Sequence, residues 1–219
     1  VLDVETGAIR LGRFGYKAIH ATVLAQTASA LQTDMGVLTS LFPQPDCGAS
    51  QTGCGPSQVE LEDGELQDLT DYVALLGVPP QNDFTNPEVI AGRDLFSQIG
   101  CDKCHVTQFS TSPYSRLAEV RNQIIMPYTD LLLHDMGEGL ADGFAEGDAS
   151  GTEWRTAPLW GLGKTLGISG AEGYLHDGRA RTIEEAILWH GGEGQSSKTL
   201  FDGLNSDEKS NLLSFLRSL

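Results

Sequence analysis

The sequence has few basic residues, and it lacks any apolar run of about 18 residues, the length that a membrane-spanning helix needs. Its 14 Lys and Arg residues stand against 30 Asp and Glu residues, and the net charge is -16 over 219 residues. An acidic surface repels nucleic-acid phosphates and anionic lipids. We therefore expect no nucleic-acid partner and no membrane span. The chain opens at Val1 rather than Met, and we expect a mature or cleaved product.

Cysteine is also scarce, with four residues in the chain, and two of them form a Cys-x-x-Cys-His motif at Cys101, Cys104 and His105. This motif is the attachment signal for a c-type haem. The two thiols can bond the two vinyl groups of one porphyrin, and the histidine then serves as the proximal iron ligand. A structural zinc site would need a second ligand pair at suitable spacing. The motif predicts one covalent haem c bound by Cys101, Cys104 and His105.

The other two cysteines, Cys47 and Cys54, lie in a loop rich in turn-forming residues. This spacing and setting predict a local disulfide, which is typical of an oxidising compartment. Covalent haem attachment agrees with an exported protein. We therefore expect a periplasmic or extracellular location in a bacterium.

Apolar periodicity predicts five helices and, between residues 106 and 179, a long segment with little regular periodicity that would wrap the haem. An apolar helix runs directly into Cys101, and an amphipathic helix closes the chain, as in small cytochromes c. The predicted fold is all-α, mainly helical with long irregular segments. The predicted helices span residues 21–31, 63–76, 87–99, 182–190 and 206–219.

A weak internal repeat divides the chain. Residues 61–79 are similar to residues 204–219, and both stretches are typical of the closing helix of a cytochrome domain. Residues 81–219 are predicted to form a cytochrome c-like haem domain. Residues 1–80 are predicted to form the back half of a first such domain without its own haem motif.

Four longer stretches, residues 12–18, 128–137, 154–161 and 174–193, resemble the di-haem oxidoreductases often labelled thiol oxidoreductases. These are distant relatives of the bacterial di-haem cytochrome c peroxidases and of MauG. The resemblance implies one Cys-x-x-Cys-His motif in each half, whereas this chain carries a single motif. Either the first haem domain was removed, or it belongs to another chain. The expected partner is a redox protein or a chain that carries the first haem domain.

The residue on the far side of the iron decides what the haem does. The resemblance implies a distal ligand at the end of the helix that follows the His-Asp-Gly turn, and that position is His190. Ile183, Ile187 and His190 share an apolar helix face, which agrees. Met136 is the second candidate. His134 is expected beside the site or at an interface and His176 in a turn. The remaining candidates are His20, Met35 and Met126.

Two axial histidines predict a haem that transfers electrons, as the second, relay haem of the peroxidase relatives does. The alternative is a peroxidase-like or thiol-oxidising enzyme that acts on peroxide or a small substrate. The peroxidase relatives also bind calcium between their halves. Their sequence pattern is not clearly kept here, so calcium is not predicted, although Asp135, Glu138, Asp142 and Asp148 form an acidic loop.

Overall fold

The computed structural model describes residues 1–48, 50–55 and 58–219. The helices in these ranges include the five predicted from periodicity and two short ones between residues 165 and 202 that were not predicted. None of them combines the length and hydropathy that a bilayer crossing requires. The α-helices are α1 Val23–Met35, α2 Asp63–Ala74, α3 Pro87–Gln98, α4 Thr165–Ser169, α5 Ile183–Trp189, α6 Gln195–Asp202 and α7 Ser206–Ser218.

Side-chain caps fix where the main helices begin. The Asn86 side chain accepts a hydrogen bond from the Glu88 amide (2.9 Å), and Pro87 follows as the first residue of α3. Asn205 and Glu208 form a reciprocal capping box at the start of α7. The same chemistry opens α5, where the Thr182 side chain accepts from the Glu185 amide (3.0 Å).

The all-α prediction is wrong, because the long segment between α3 and α4 contains two small antiparallel sheets. The first pairs β1 (Phe109–Ser110) with β2 (Ile124–Ile125), and the second pairs β3 (Leu133–Asp135) with β4 (Glu153–Arg155). Strands of two or three residues are too short to show apolar alternation, so the sequence gives no sign of them. The β3–β4 sheet holds His134 directly opposite Trp154.

The core of the haem-motif region is the crossing of α3 and α7. Gly92 allows the close approach, since a Cβ atom there would lie 2.0 Å from the Asn211 carbonyl oxygen. Phe96 and Phe215 meet edge to face at this crossing with ring centroids 5.4 Å apart. The end of α3 thus places Cys101 beside the aromatic cluster formed by Phe96 and Phe215.

In the first part of the chain, α1 packs against α2. Leu66 on α2 is buried, but Leu69, Tyr72, Val73 and Leu76, which were expected on the same apolar face, are exposed. The predicted division at residues 80 and 81 stays a prediction. The predicted disulfide between Cys47 and Cys54 is present.

Candidate haem site

The Cys-x-x-Cys-His segment forms a tight turn at the end of α3. Gly100 adopts a left-handed conformation (φ 81°), and a 3₁₀ turn then covers Cys101–Lys103. The His105 amide donates to the Cys101 carbonyl (2.9 Å), which closes one helical turn. Both cysteines are unpaired thiols. Two thiols and an imidazole therefore come from a single turn, which is the arrangement that haem attachment needs.

Both thiols are held in their protonated form. Burial raises the pKa of Cys101 to about 12, and burial together with the charges of Asp130 and Glu193 raises the pKa of Cys104. Redox-active dithiols depend on thiolates with lowered pKa values. The surroundings of these cysteines therefore disfavour a redox-active dithiol.

His105 lies against the aromatic cluster with its ring oriented by the backbone. Its Nδ1 lies 2.9 Å from the Tyr128 carbonyl oxygen, and its ring faces Phe96 at a centroid distance of 6.2 Å. Burial lowers the pKa of His105 to about 4, so the imidazole is neutral at pH 7. A neutral histidine whose Nδ1 donates to a carbonyl presents Nε2 as a free lone pair, the usual state of a metal ligand.

The carbonyl that orients His105 is itself held in an uncommon backbone conformation. Tyr128 is buried and has φ 54°, a left-handed value that costs a bulky residue about 1–3 kcal/mol. The Thr129 amide donates to the Val106 carbonyl (3.0 Å) and holds this segment beside the residue that follows His105. The local strain is consistent with a segment kept in place to position an imidazole.

His190 faces His105 from the end of α5. Its Nδ1 lies 2.8 Å from the Ala186 carbonyl oxygen, and burial lowers its pKa. The two imidazole centroids are 6.5 Å apart, with the ring planes at 49°. Each ring has Nδ1 on a backbone carbonyl, so each has Nε2 available.

This spacing fits one metal ion between two histidines. Imidazole nitrogens that share an ion each lie about 2 Å from it, which places the two ring centroids roughly 6 Å apart. With Cys101 and Cys104 beside His105, the four predicted residues fit a covalently attached haem with two axial histidines.

Met136, the second candidate for the distal ligand, lies next to His190. A Cβ atom added to Gly194 would be 3.3 Å from both the Met136 Cε and the His190 Cδ2. Both residues line a cavity of about 490 Å³ between β3, α5 and α6. Met136 thus shares the distal wall with His190.

Both ring nitrogens of His134 are engaged by carboxylates. Its Nδ1 is 2.8 Å from a Glu193 oxygen and its Nε2 is 2.8 Å from an Asp130 oxygen. The ligand atoms of Cys104, Asp130 and His134 lie within 4.8 Å of one another and could surround a metal ion. Because both ring nitrogens of His134 already contact carboxylates, we assign no metal to this grouping.

The other candidate ligands occupy different surroundings. His176 stacks on Trp154 at 3.5 Å, His20 meets Phe42 edge to face, and Met35 and Met126 are exposed. In the acidic loop, Asp142 lies 3.4 Å from the buried ammonium of Lys17. A cation already paired with Asp142 weakens the case for calcium there, and we do not propose it.

Sequence reasoning missed Tyr128, Asp130 and Glu193. Tyr128 acts through its backbone carbonyl, for which no residue type is a signal. Asp130 and Glu193 lie 4 and 59 residues from His134 along the chain, and it is the fold that brings both of them to its ring. The spacing of Asp130 and His134 was available in the sequence as a weak pattern.

Comparison with protein families identifies the family of the chain. The family described as "Di-haem oxidoreductase, putative peroxidase" matches residues 4–219. Neither a curated protein nor a solved structure matches the chain. The match confirms the resemblance carried by the four sequence stretches and supports haem-based redox chemistry. The chain therefore belongs to the di-haem oxidoreductase family.

Proposed function

We propose that this chain is a c-type cytochrome that carries one covalent haem and transfers electrons as the relay haem of a di-haem oxidoreductase. In this proposal, Cys101 and Cys104 attach the haem, and His105 and His190 are its axial ligands. The observation that carries the proposal is the 6.5 Å separation of two neutral imidazoles beside two unpaired thiols.

The choice of electron transfer over catalysis rests on the axial positions. When bound, the haem supplies one-electron redox chemistry, and a haem with two protein ligands has no open position for peroxide. The 6.5 Å separation of the His105 and His190 rings supports the assignment of both positions to these residues. Both imidazoles are also held by backbone carbonyls, which limits the rotation that would free the iron.

A peroxidase-like or thiol-oxidising activity is the second candidate. It is favoured by the description of the family and by the cavity of about 490 Å³ that reaches His190 and Met136. Peroxide or a small thiol could enter such a space if His190 were displaced. This activity predicts a ferric haem that is at least partly high-spin, and the two candidates are separated by spectroscopy.

The partner is proposed to be a redox protein or a chain that carries the first haem domain. The family has two haems and this sequence has one attachment motif. The exposed apolar side chains of α2, including Tyr72 and Val73, offer a surface on which another helix could pack. A periplasmic or extracellular location is proposed from the disulfide and the covalent haem.

The distal ligand is tested by replacing His190 with Ala in the haem-loaded protein. His190→Ala should change the ferric spectrum from low-spin to high-spin, because the sixth position loses its strong-field ligand. His176→Ala is the matched control and should stay low-spin, since its ring stacks on Trp154. If His190→Ala stays low-spin while Met136→Leu becomes high-spin, Met136 is the ligand and the proposal is wrong on this point.

A further inference from the structure

One side chain on β3 bridges two carboxylates that belong to opposite sides of the haem site. His134 Nδ1 is 2.8 Å from Glu193 Oε2, and His134 Nε2 is 2.8 Å from Asp130 Oδ2. Both nitrogens donate when the imidazole carries two protons, which makes both contacts charge-assisted. We call this arrangement the Asp130–His134–Glu193 bridge.

The Asp130 end of the bridge is connected to the proximal histidine, His105. Asp130 lies two residues after Tyr128, whose carbonyl oxygen holds His105 Nδ1 at 2.9 Å. The other Asp130 oxygen accepts from the Leu132 amide (2.9 Å), so the carboxylate is fixed to its own backbone. Movement of Asp130 would therefore disturb the segment that orients His105.

The Glu193 end of the bridge is connected to the distal histidine, His190. Glu193 lies three residues after His190, and its Oε1 accepts from the Asp135 amide on β3 (3.0 Å). One carboxylate thus contacts both a β3 backbone amide and the His134 side chain. These two hydrogen bonds tie the segment that follows His190 to the sheet.

The backbone between His190 and Glu193 is packed too closely against β3 to adjust independently. A Cβ atom at Gly191 would lie 2.8 Å from the Met136 carbonyl oxygen, and one at Gly192 would lie 2.1 Å from the Asp135 carbonyl oxygen. Two consecutive glycines permit this contact. The position of His190 is therefore coupled to β3 by packing as well as by Glu193.

We propose that His134 is a positioning residue, and that the Asp130–His134–Glu193 bridge holds His190 at the sixth coordination position and thereby keeps small external ligands from the iron. The inference rests on the proposed function, in which His190 is the distal ligand. Breaking the bridge should let the segment after His190 move and let an external ligand compete with the imidazole.

The test is the rate at which cyanide binds the ferric haem-loaded protein. Glu193→Gln keeps the shape of the side chain and removes its charge. We expect it to raise the binding rate by about tenfold, the factor that corresponds to about 1.4 kcal/mol. His134→Gln breaks the bridge from its centre and should raise the rate in the same way, which keeps the test decisive if one variant does not fold. The charge-matched control Glu119→Gln, at an exposed position, should leave the rate unchanged.

Measuring the effect of Glu193→Gln in the His190→Ala protein as well separates this inference from the proposed function. In His190→Ala the sixth position is already open, so adding Glu193→Gln should change the cyanide rate by less than about twofold, as expected for non-additive effects along one pathway. If His190→Ala raises the rate and Glu193→Gln does not, the bridge has no positioning role although His190 is a ligand. If Glu193→Gln raises the rate equally in both backgrounds, it acts elsewhere and the inference is wrong. If His190→Ala leaves the rate unchanged, the proposed function fails first.

Discussion

Three histidines of the site differ in charge because their hydrogen-bond partners differ. His105 and His190 have Nδ1 on neutral backbone carbonyls, and burial lowers the pKa of both. His134 lies between two carboxylates. Burial lowers its pKa, but the hydrogen bonds and charges of Glu193 and Asp130 outweigh this effect, and the pKa is raised overall. Two imidazoles with lowered pKa values and one with a raised pKa thus lie within the same small region.

The raised pKa of His134 predicts a pH dependence of stability. The folded state binds the His134 proton more tightly than the unfolded state does, so its contribution is complete below the unfolded pKa of about 6.5 and is lost as pH rises through the raised folded pKa. The melting temperature of the wild-type protein should exceed that of His134→Gln most at about pH 6, with the gap narrowing towards about pH 9.

Differential scanning calorimetry of both proteins across this pH range measures the gap. His20→Gln is the control of opposite sign: burial lowers the pKa of His20, so the wild-type melting temperature should gain on this variant as pH rises. Parallel curves for the wild-type protein and His134→Gln would show that His134 does not carry the proton that its two carboxylate neighbours favour.

Single residues of the candidate site could be predicted from the sequence where the chemistry is local. The motif at Cys101, Cys104 and His105 identifies three side chains within five consecutive residues. The prediction of His190 came from family resemblance and from the apolar face that it shares with Ile187, and the structure brings its ring opposite His105. Glu193 was not predicted, because its partner His134 lies 59 residues away and a carboxylate in a loop is usually solvated.

At the scale of elements, the site depends on how closely α3 and α7 approach. Gly92 on α3 meets the Asn211 carbonyl oxygen and the Phe215 Cβ, at 2.0 Å and 2.7 Å from the position of an added Cβ. Neither contact can be relieved by rotating a flexible side chain. The crossing in turn positions Phe96, against which His105 packs.

Gly92→Ala should therefore destabilise the protein by about 2 kcal/mol or more, as overpacking in a core does. Gly64→Ala on α2 is the matched control, since no atom lies within 4 Å of its added Cβ. That change should be neutral or stabilising by about 0.5 kcal/mol, because alanine favours a helix over glycine. Denaturant unfolding followed by far-UV circular dichroism measures both. Equal stabilities of the two variants would mean that the helices cross less closely than described.

Helices were predictable and strands were not, for a physical reason. α2, α3 and α7 are 12 or 13 residues long and carry apolar periodicity together with capping residues. β1 to β4 have two or three residues each, and their pairing joins positions 14 to 22 residues apart. Such short pairs are set by packing around the site rather than by local propensity. The exposed face of α2 likewise could not be foreseen, because periodicity does not reveal what covers a face.

At the scale of the whole molecule, the chain brings together one turn and the end of one opposing helix. The Cys-x-x-Cys-His turn follows α3, His190 follows α5, and β3 connects the two sides through His134. The net charge of -16 would steer the protein towards a basic partner rather than an acidic one. These features fit the proposal of a haem that exchanges electrons while its iron stays protected.

The central claim is that the iron has two histidine ligands, and electron paramagnetic resonance of the ferric haem-loaded protein tests it most directly. The account predicts a single low-spin ferric signal typical of two imidazole ligands, together with a low-spin visible spectrum after reduction. A dominant high-spin ferric signal would contradict it, because it would show that His190 leaves the sixth position open for substrate.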